Sequence, residues 1–247
     1  MGYGYTVGFA CCFGSGRAYY AIYREFSKVS GGKALIIIEP RVEVLDELDR
    51  DKVYGAVERA ARTCYKSEDK IASGSAERMV RALIKNGHEA MLEHYSFSVK
   101  FVCDRGVTHE LVRHRMCAFA QESQRYCAYT KKKFGSAITF IRPLFYHEGT
   151  MEYEVWKKSC ENAEKSYFAL INGGSTPEQA RTVLPNSTKT EIVVTANLRE
   201  WRHILKLRCD KAAHPQMRQV MDALLEVLRM KIPAVVDDIA KDGENDK

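Results

Sequence analysis

The sequence predicts an α+β fold, a single domain in which helices pack an antiparallel or mixed sheet. Three observations lead there. Helical and strand periodicities both occur, but without the regular strand–helix–strand alternation of a parallel α/β sheet. No linker, repeat or low-complexity tract interrupts residues 34–240. Apolar residues make up 45% of the 247, enough for a core that needs no disulfide or metal staple.

The elements follow in order. Ala34–Ile38 is a short apolar run between Gly31-Gly32 and Pro40, which reads as a strand. In Asp51–Cys64, the residues Val53, Ala56, Val57, Ala60, Ala61 and Cys64 recur at helical spacing. Ser75–Asn86 is a second helix, with Met79, Val80, Leu83 and Ile84 inward and Gly87 as its C-terminal cap. Ser96–Cys103 puts Phe97, Val99, Phe101 and Cys103 on one face, the mark of a half-buried strand. Asp104 caps a short helix running through His114. Residues 116–136 show no clean period and read mostly as loop. Thr150–Asn172 is a long helix closed by Gly173-Gly174, and Thr176-Pro177-Glu178 starts another. Glu191–Ala196 is a strand. Helices follow at Leu198–Arg208 and Pro215–Met230, the latter with Met217, Val220, Met221, Leu224 and Leu228 inward. The tail after Ala240 is polar.

Composition excludes some function classes. No run approaches the ~18 apolar residues of a membrane span. The net charge of +6 suits anionic small molecules as well as nucleic acid, so the total does not discriminate. Half of it sits in residues 1–33, where Arg17, Arg24, Lys28 and Lys33 face only Glu25. That stretch lacks the ordered regions of a signal peptide and reads as an extension. Its glycine content makes ordering costly, so its deletion is expected to leave activity and assembly intact. The cysteines at 11, 12, 64, 103, 117, 127, 160 and 209 form no CxxC and match no zinc framework. Reduced thiols and a cytoplasmic location are the expectation.

The densest polar constellation is His109-Glu110 and Arg113-His114-Arg115, followed by Gln121-Glu122-Ser123-Gln124-Arg125-Tyr126. Arg113 and Arg115 cannot share a helix face, but at a helix end running into a loop their guanidiniums can converge with Arg125 and Ser123. Three forked cations and a hydroxyl describe a phosphate site. Capping of helix carbonyls or a solvated basic surface accounts for the same residues equally well on composition. His88-Glu89…Glu93-His94 is not a metal motif, because HExxH needs its second His at the position of Leu92. No metal site is expected. Glu178 and Arg181, three apart, read on spacing alone as a surface ion pair. Asn197, Arg199, His203 and Arg208 lie on the polar side of a helix carrying Trp201, Ile204, Leu205 and Leu207. No GxGxxG, P-loop or GxSxG occurs.

Taken together these motifs are specific. Arg113-His114-Arg115, seven residues, then Ser123-Gln124-Arg125-Tyr126 resembles the signature of the flavin-dependent thymidylate synthases. Gly87-His88-Glu89…Glu93-His94 precedes it in the right order. Glu178…Arg181…Leu184-Pro185 and Asn197…Arg199…His203…Leu207-Arg208 follow. The resemblance covers roughly residues 36–235 and implies a ThyX-like fold in a homotetramer whose sites are shared between chains. It implies methylation of dUMP to dTMP, with methylenetetrahydrofolate supplying carbon and FAD, reduced by NADPH, supplying hydride. Carried over residue by residue, Arg113, Ser123, Gln124 and Arg125 hold the dUMP phosphate and sugar, with Arg181 from another subunit. Glu110, Gln121 and Glu122 fall among the nucleotide contacts, and Gln121 also near the flavin. His88, Ala90, Arg113, His114, Arg115, Asn197, Leu198, Arg199 and His203 line the flavin and folate site. Arg208 binds the uracil ring and favours its ionised form. The implied scheme needs no Cys nucleophile.

Two positions depart from the family pattern. Ala90 stands where members often carry Ser or Thr, so a hydroxyl contact to flavin is lost. Ala212 stands where some have His, and that role does not transfer. Two other readings compete. A nucleic-acid-binding module would use Arg113, Arg115, Arg125 and Lys131–Lys133, but the chain lacks interleaved aromatics and a recognised binding fold. A relative that binds flavin without methylating would show decay, yet Arg113, Ser123, Arg125, Arg181 and Arg208 are all present.

Overall fold

The computed structural model describes residues 35–126, 129 and 137–240. The extension 1–33, Lys131–Lys133 and the tail 241–247 lie outside the described residues. The chain opens with strands β1 (Ile36–Ile38) and β2 (Arg41–Val44), then helices α1 (Arg50–Tyr65) and α2 (Ser75–Lys85). A 3-10 stretch, Glu89–His94, leads into strand β3 (Ser96–Asp104), which runs directly into helix α3 (Arg105–Leu111). Strands β4 (Ala118–Gln121) and β5 (Thr139–Ile141) precede the long helix α4 (Met151–Asn172) and the short α5 (Pro177–Ala180). Strand β6 (Lys189–Asn197) runs directly into α6 (Leu198–Arg208), and α7 (Pro215–Lys231) and α8 (Pro233–Val236) close the fold.

The main sheet is antiparallel, in the order β2-β3-β6-β4, and β1 pairs with β5 in a separate parallel ribbon. The expected α+β class with an antiparallel or mixed sheet is therefore what forms. Period-two alternation sets the faces. Phe97, Val99 and Phe101 of β3, with Ile192, Val194 and Ala196 of β6, join Trp201, Leu205, Met217, Met221 and Leu224 in the main core. Trp201 stacks on Phe97 at 5.2 Å, and its indole N–H donates to the Phe97 carbonyl at 3.2 Å. A smaller core gathers Ile138, Phe140, Cys160, Tyr167 and Ala180 beside α4 and α5. The opposite face of the main sheet is polar: Ser98 and Thr195 bond at 2.9 Å, and Lys189 bridges Glu191 and Glu122.

Several expectations need correction. Residues 116–136 were expected as loop, yet β4 lies inside them, an edge strand with Phe119 as its one large apolar residue. The helix after Asp104 ends at Leu111 rather than His114. In α1 the buried face is Val53, Tyr54, Val57, Glu58 and Ala61, while Cys64 is exposed. Leu207 is half exposed rather than inward. Capping signals fared better. Asp104, Thr150, Thr176 and Asn197 each accept a backbone N–H at the start of a helix, as their side chains dictate. Gly87 takes φ +71°, the left-handed conformation that closes α2.

Candidate active site

Two helix caps position the site. Asp104 ends β3 and starts α3, accepting the Val107 N–H at 3.0 Å. Its other oxygen accepts the Gln216 amide at 2.8 Å. A Cβ on Gly106 would stand 2.9 Å from the first of these oxygens, so only glycine fits without a shift. Asn197 ends β6 and starts α6, accepting the Glu200 N–H at 2.9 Å. Because β3 and β6 are antiparallel, the two helices start from opposite ends of the pair, and their last turns meet.

At that junction Arg208 is clamped. Its Nη1 donates to the Glu110 carboxylate at 2.9 Å, its Nη2 to the Glu110 carbonyl at 3.3 Å, and its Nε to His114 Nε2 at 3.0 Å. A guanidinium always donates, so Nε2 of His114 carries the lone pair and Nδ1 the proton of the neutral ring. Nδ1 faces the Glu200 carboxylate at 3.8 Å, and the His203 ring lies edge-on at 6.0 Å. Burial, then the Arg208 charge, then His203, push the His114 pKa down to about 4. The imidazole is therefore neutral at pH 7.

This shift predicts a pH effect. The unfolded chain takes up a proton at His114 as pH falls through about 6.5 while the folded chain does not, so stability rises with pH across that window. On acidification from about pH 6.5 to 4, the His114 contribution to lost stability is on the order of 2–3 kcal/mol. Urea unfolding at stepped pH should show a flatter profile for His114→Gln than for the parent chain. Parallel profiles would contradict a neutral buried His114.

The other expected site residues fall into separate places. Arg113 and Arg115 are exposed just beyond α3, with no ion pair among the described residues. Ser123 accepts the Arg125 backbone N–H at 3.2 Å, and Arg125 Nε pairs with Glu178 at 2.9 Å. Glu178 thus bridges to Arg125 and not to Arg181, because the chain leaves α5 after Ala180 and carries Arg181 into a 3-10 turn. Gln121 points inward, donating to Thr108 at 2.9 Å, and Glu122 is held by Lys189 at 3.0 Å. Gln124 is buried. His88 and Ala90 are exposed around the start of the Glu89–His94 turn, and Arg199 pairs with Glu93. Leu198 is wholly within the core and its N–H donates to the Tyr95 carbonyl, so it has no side chain to present to a cofactor.

Within one chain, then, Glu110, His114, His203 and Arg208 come together, while Ser123, Arg125 and Arg181 do not join them. Sequence reasoning missed Glu200 and Arg202. Glu200 stands three residues before His203 on α6, a spacing that puts both on one face. Arg202 falls at i+4 from Leu198 and three before Leu205, hence on the buried face, where it meets Glu89 and Asp238.

Comparison with known proteins bears on what this junction serves. Residues 44–234 match the family model described as thymidylate synthase complementing protein. A flavin-dependent thymidylate synthase of Pyrococcus furiosus is 36% identical over 161 residues, covering 65% of this chain and 65% of that protein. One of Corynebacterium efficiens is 34% identical over 211 residues, covering 81% and 84%. The crystal structure of a UMP/dUMP methylase from Streptomyces cacaoi bound with 5-Br dUMP superposes with a TM-score of 0.65 at 26% identity, covering 82% of this chain and 96% of that one. The match runs from β2 through α8 and includes both capped helices and the Arg208 clamp between them, and on that span the chain belongs to the thymidylate synthase complementing protein family, the flavin-dependent thymidylate synthases.

Proposed function

We propose that this protein methylates dUMP at uracil C5 to give dTMP, with methylenetetrahydrofolate as carbon donor and NADPH as reductant. The observation that carries the reading is Arg208. Clamped on one side by Glu110 and His114 and about one-fifth exposed, it keeps N–H groups for a ligand. Uracil C5 is a poor nucleophile until the ring imide loses its proton, and a fixed cation stabilises the resulting anion. His114, neutral and accepting from Arg208, holds the fork without adding charge. Glu110 fixes its plane.

The residues present fit FAD by the chemistry of the donors. Arg113 and Arg115 are exposed guanidiniums suited to a diphosphate, His114 and His203 lie with their rings 6.0 Å apart, and His88 opens the turn whose Glu89 meets Arg202 of α6. When bound, the flavin supplies the hydride that completes the methyl group. Ser123, Gln124 and Arg125 hold the dUMP phosphate and sugar. Arg125 pairs with Glu178 through Nε, is half exposed, and its planar fork suits a bidentate phosphate. Arg181 comes from another subunit of a homotetramer, which accounts for a site that one chain leaves in pieces. The protein works in the cytoplasm; no helix among the described residues is long and apolar enough to cross a membrane.

The test is a visible spectrum of the purified protein with and without dUMP, followed by product analysis. Flavin absorbance that responds to dUMP, and NADPH-dependent dTMP formation, are expected. A protein that carries no flavin, takes up none from FAD and makes no dTMP would overturn the reading.

A further inference from the structure

We propose that His114, Glu200 and His203 form a site for a zinc-class divalent transition metal. One ligand atom from each lies within 4.8 Å of the others. Two imidazoles and one carboxylate are a donor set used by zinc enzymes that keep a fourth position for water. Glu200 and His203, at i,i+3 on α6, project from one face, and metal sites in helical bundles use the same Glu-x-x-His spacing. His114 approaches from the turn after α3 and is buried, so its ring is fixed. His203 is exposed and can turn toward the other two ligands.

The electrostatics allow it. Arg208 opposes a cation here, as its effect on His114 shows, and the Glu110 carboxylate at 2.9 Å from it offsets that charge in part. Counting Glu110, Arg208 and Glu200 together leaves one negative charge facing the ligand atoms. His114 binds a metal through the lone pair of its neutral ring. For Nδ1 to bind metal its proton has to move to Nε2, where it would oppose the Arg208 Nε–H at 3.0 Å, so the Arg208 fork has to turn away from His114 while keeping Glu110. No local spacing reveals this site, because 86 positions separate His114 from Glu200. The visible candidate, His88-Glu89…Glu93-His94, spends both carboxylates on arginines, Glu89 on Arg202 and Glu93 on Arg199.

His114 and His203 also belong to the proposed flavin site. On that reading metal and flavin exclude one another, and zinc acts on the flavin-free protein by blocking flavin uptake.

The test is a titration of full-length, flavin-free protein with zinc chloride against a chromophoric chelator. One zinc per chain is expected. His203→Ala and Glu200→Gln should each weaken binding by at least about tenfold, while His94→Ala, an exposed histidine elsewhere, should not. Unchanged melting temperatures in the exposed variants show that the fold persists. The absence of stoichiometric binding, or binding insensitive to His203→Ala and Glu200→Gln, would overturn the site. In a second arm, FAD added to the zinc-loaded protein should release the metal. Simultaneous binding at unchanged affinity would overturn the shared pocket. Failure to bind FAD in either form would instead overturn the functional reading, with the zinc titration still deciding the metal site.

Discussion

Arg202→Ala is expected to destabilise the fold by about 3–5 kcal/mol, the usual cost of removing one partner from a buried ion pair. Only 1% of the Arg202 side chain is exposed. It donates to Glu89 at 3.0 Å, to both oxygens of Asp238 at 2.6 and 2.8 Å, and to the Val235 carbonyl. The pairing holds the Asp238 carboxyl below the usual carboxylate range, against the opposing effect of burial. Alanine leaves a void in the main core and leaves Glu89 and Asp238 only the more exposed Lys206, 3.7 Å from each. Asp238 is nearly half exposed and can recover water, so the lower end of the range applies. Urea unfolding of the two proteins measures the difference. A loss below about 1 kcal/mol would mean that the cluster behaves as a solvated surface pair. Glu89 lies between His88 and Ala90, so the same variant should loosen that turn and weaken flavin binding before it affects product formation at saturating flavin.

Arg202 also shows where the sequence could be read and where it could not. The α6 boundaries, Leu198 to Arg208, follow from the run of apolar positions, and the structure has the same limits, with Asn197 as the cap. The same periodicity places Arg202 on the inner face, but an arginine there has no meaning until its partners are known, and Asp238 lies 36 residues away. The β4 strand was illegible for another reason. Ala118-Phe119-Ala120-Gln121 carries one large apolar residue, and its strand identity comes from pairing with β6 across long sequence separation. The Ser/Arg signature identified the family's residues, yet only tertiary structure reveals that Glu110 serves Arg208. Nothing local links positions 98 apart. Where a side chain satisfies its own helix, as Asp104 and Asn197 do, the chemistry is local and the sequence suffices.

Arg208→Ala should lower turnover by about 10²–10³-fold, the scale for losing one preorganised charge-stabilising group, while flavin absorbance survives. Alanine removes the cation beside the uracil imide, and it frees Glu110 and His114 from their shared donor. Arg113 and Arg115, proposed to hold the flavin diphosphate, are untouched, and His114, proposed to meet the flavin, loses a donor but keeps its buried position. Lysine is no substitute, since a single ammonium cannot reach the Glu110 carboxylate, the Glu110 carbonyl and His114 Nε2 with the planar spacing of the fork. Arg208→Lys is therefore expected to fall nearer the alanine variant than the parent. The pH dependence separates a catalytic role from a structural one. Without the cation the ring imide ionises at higher pH, so the residual rate of Arg208→Ala should climb with pH where the parent rate is level. A misfolded site would show no such recovery. Equal loss of flavin binding and turnover, with a flat pH profile, would remove Arg208 from its assigned role and leave it as a helix-end clamp between α3 and α6.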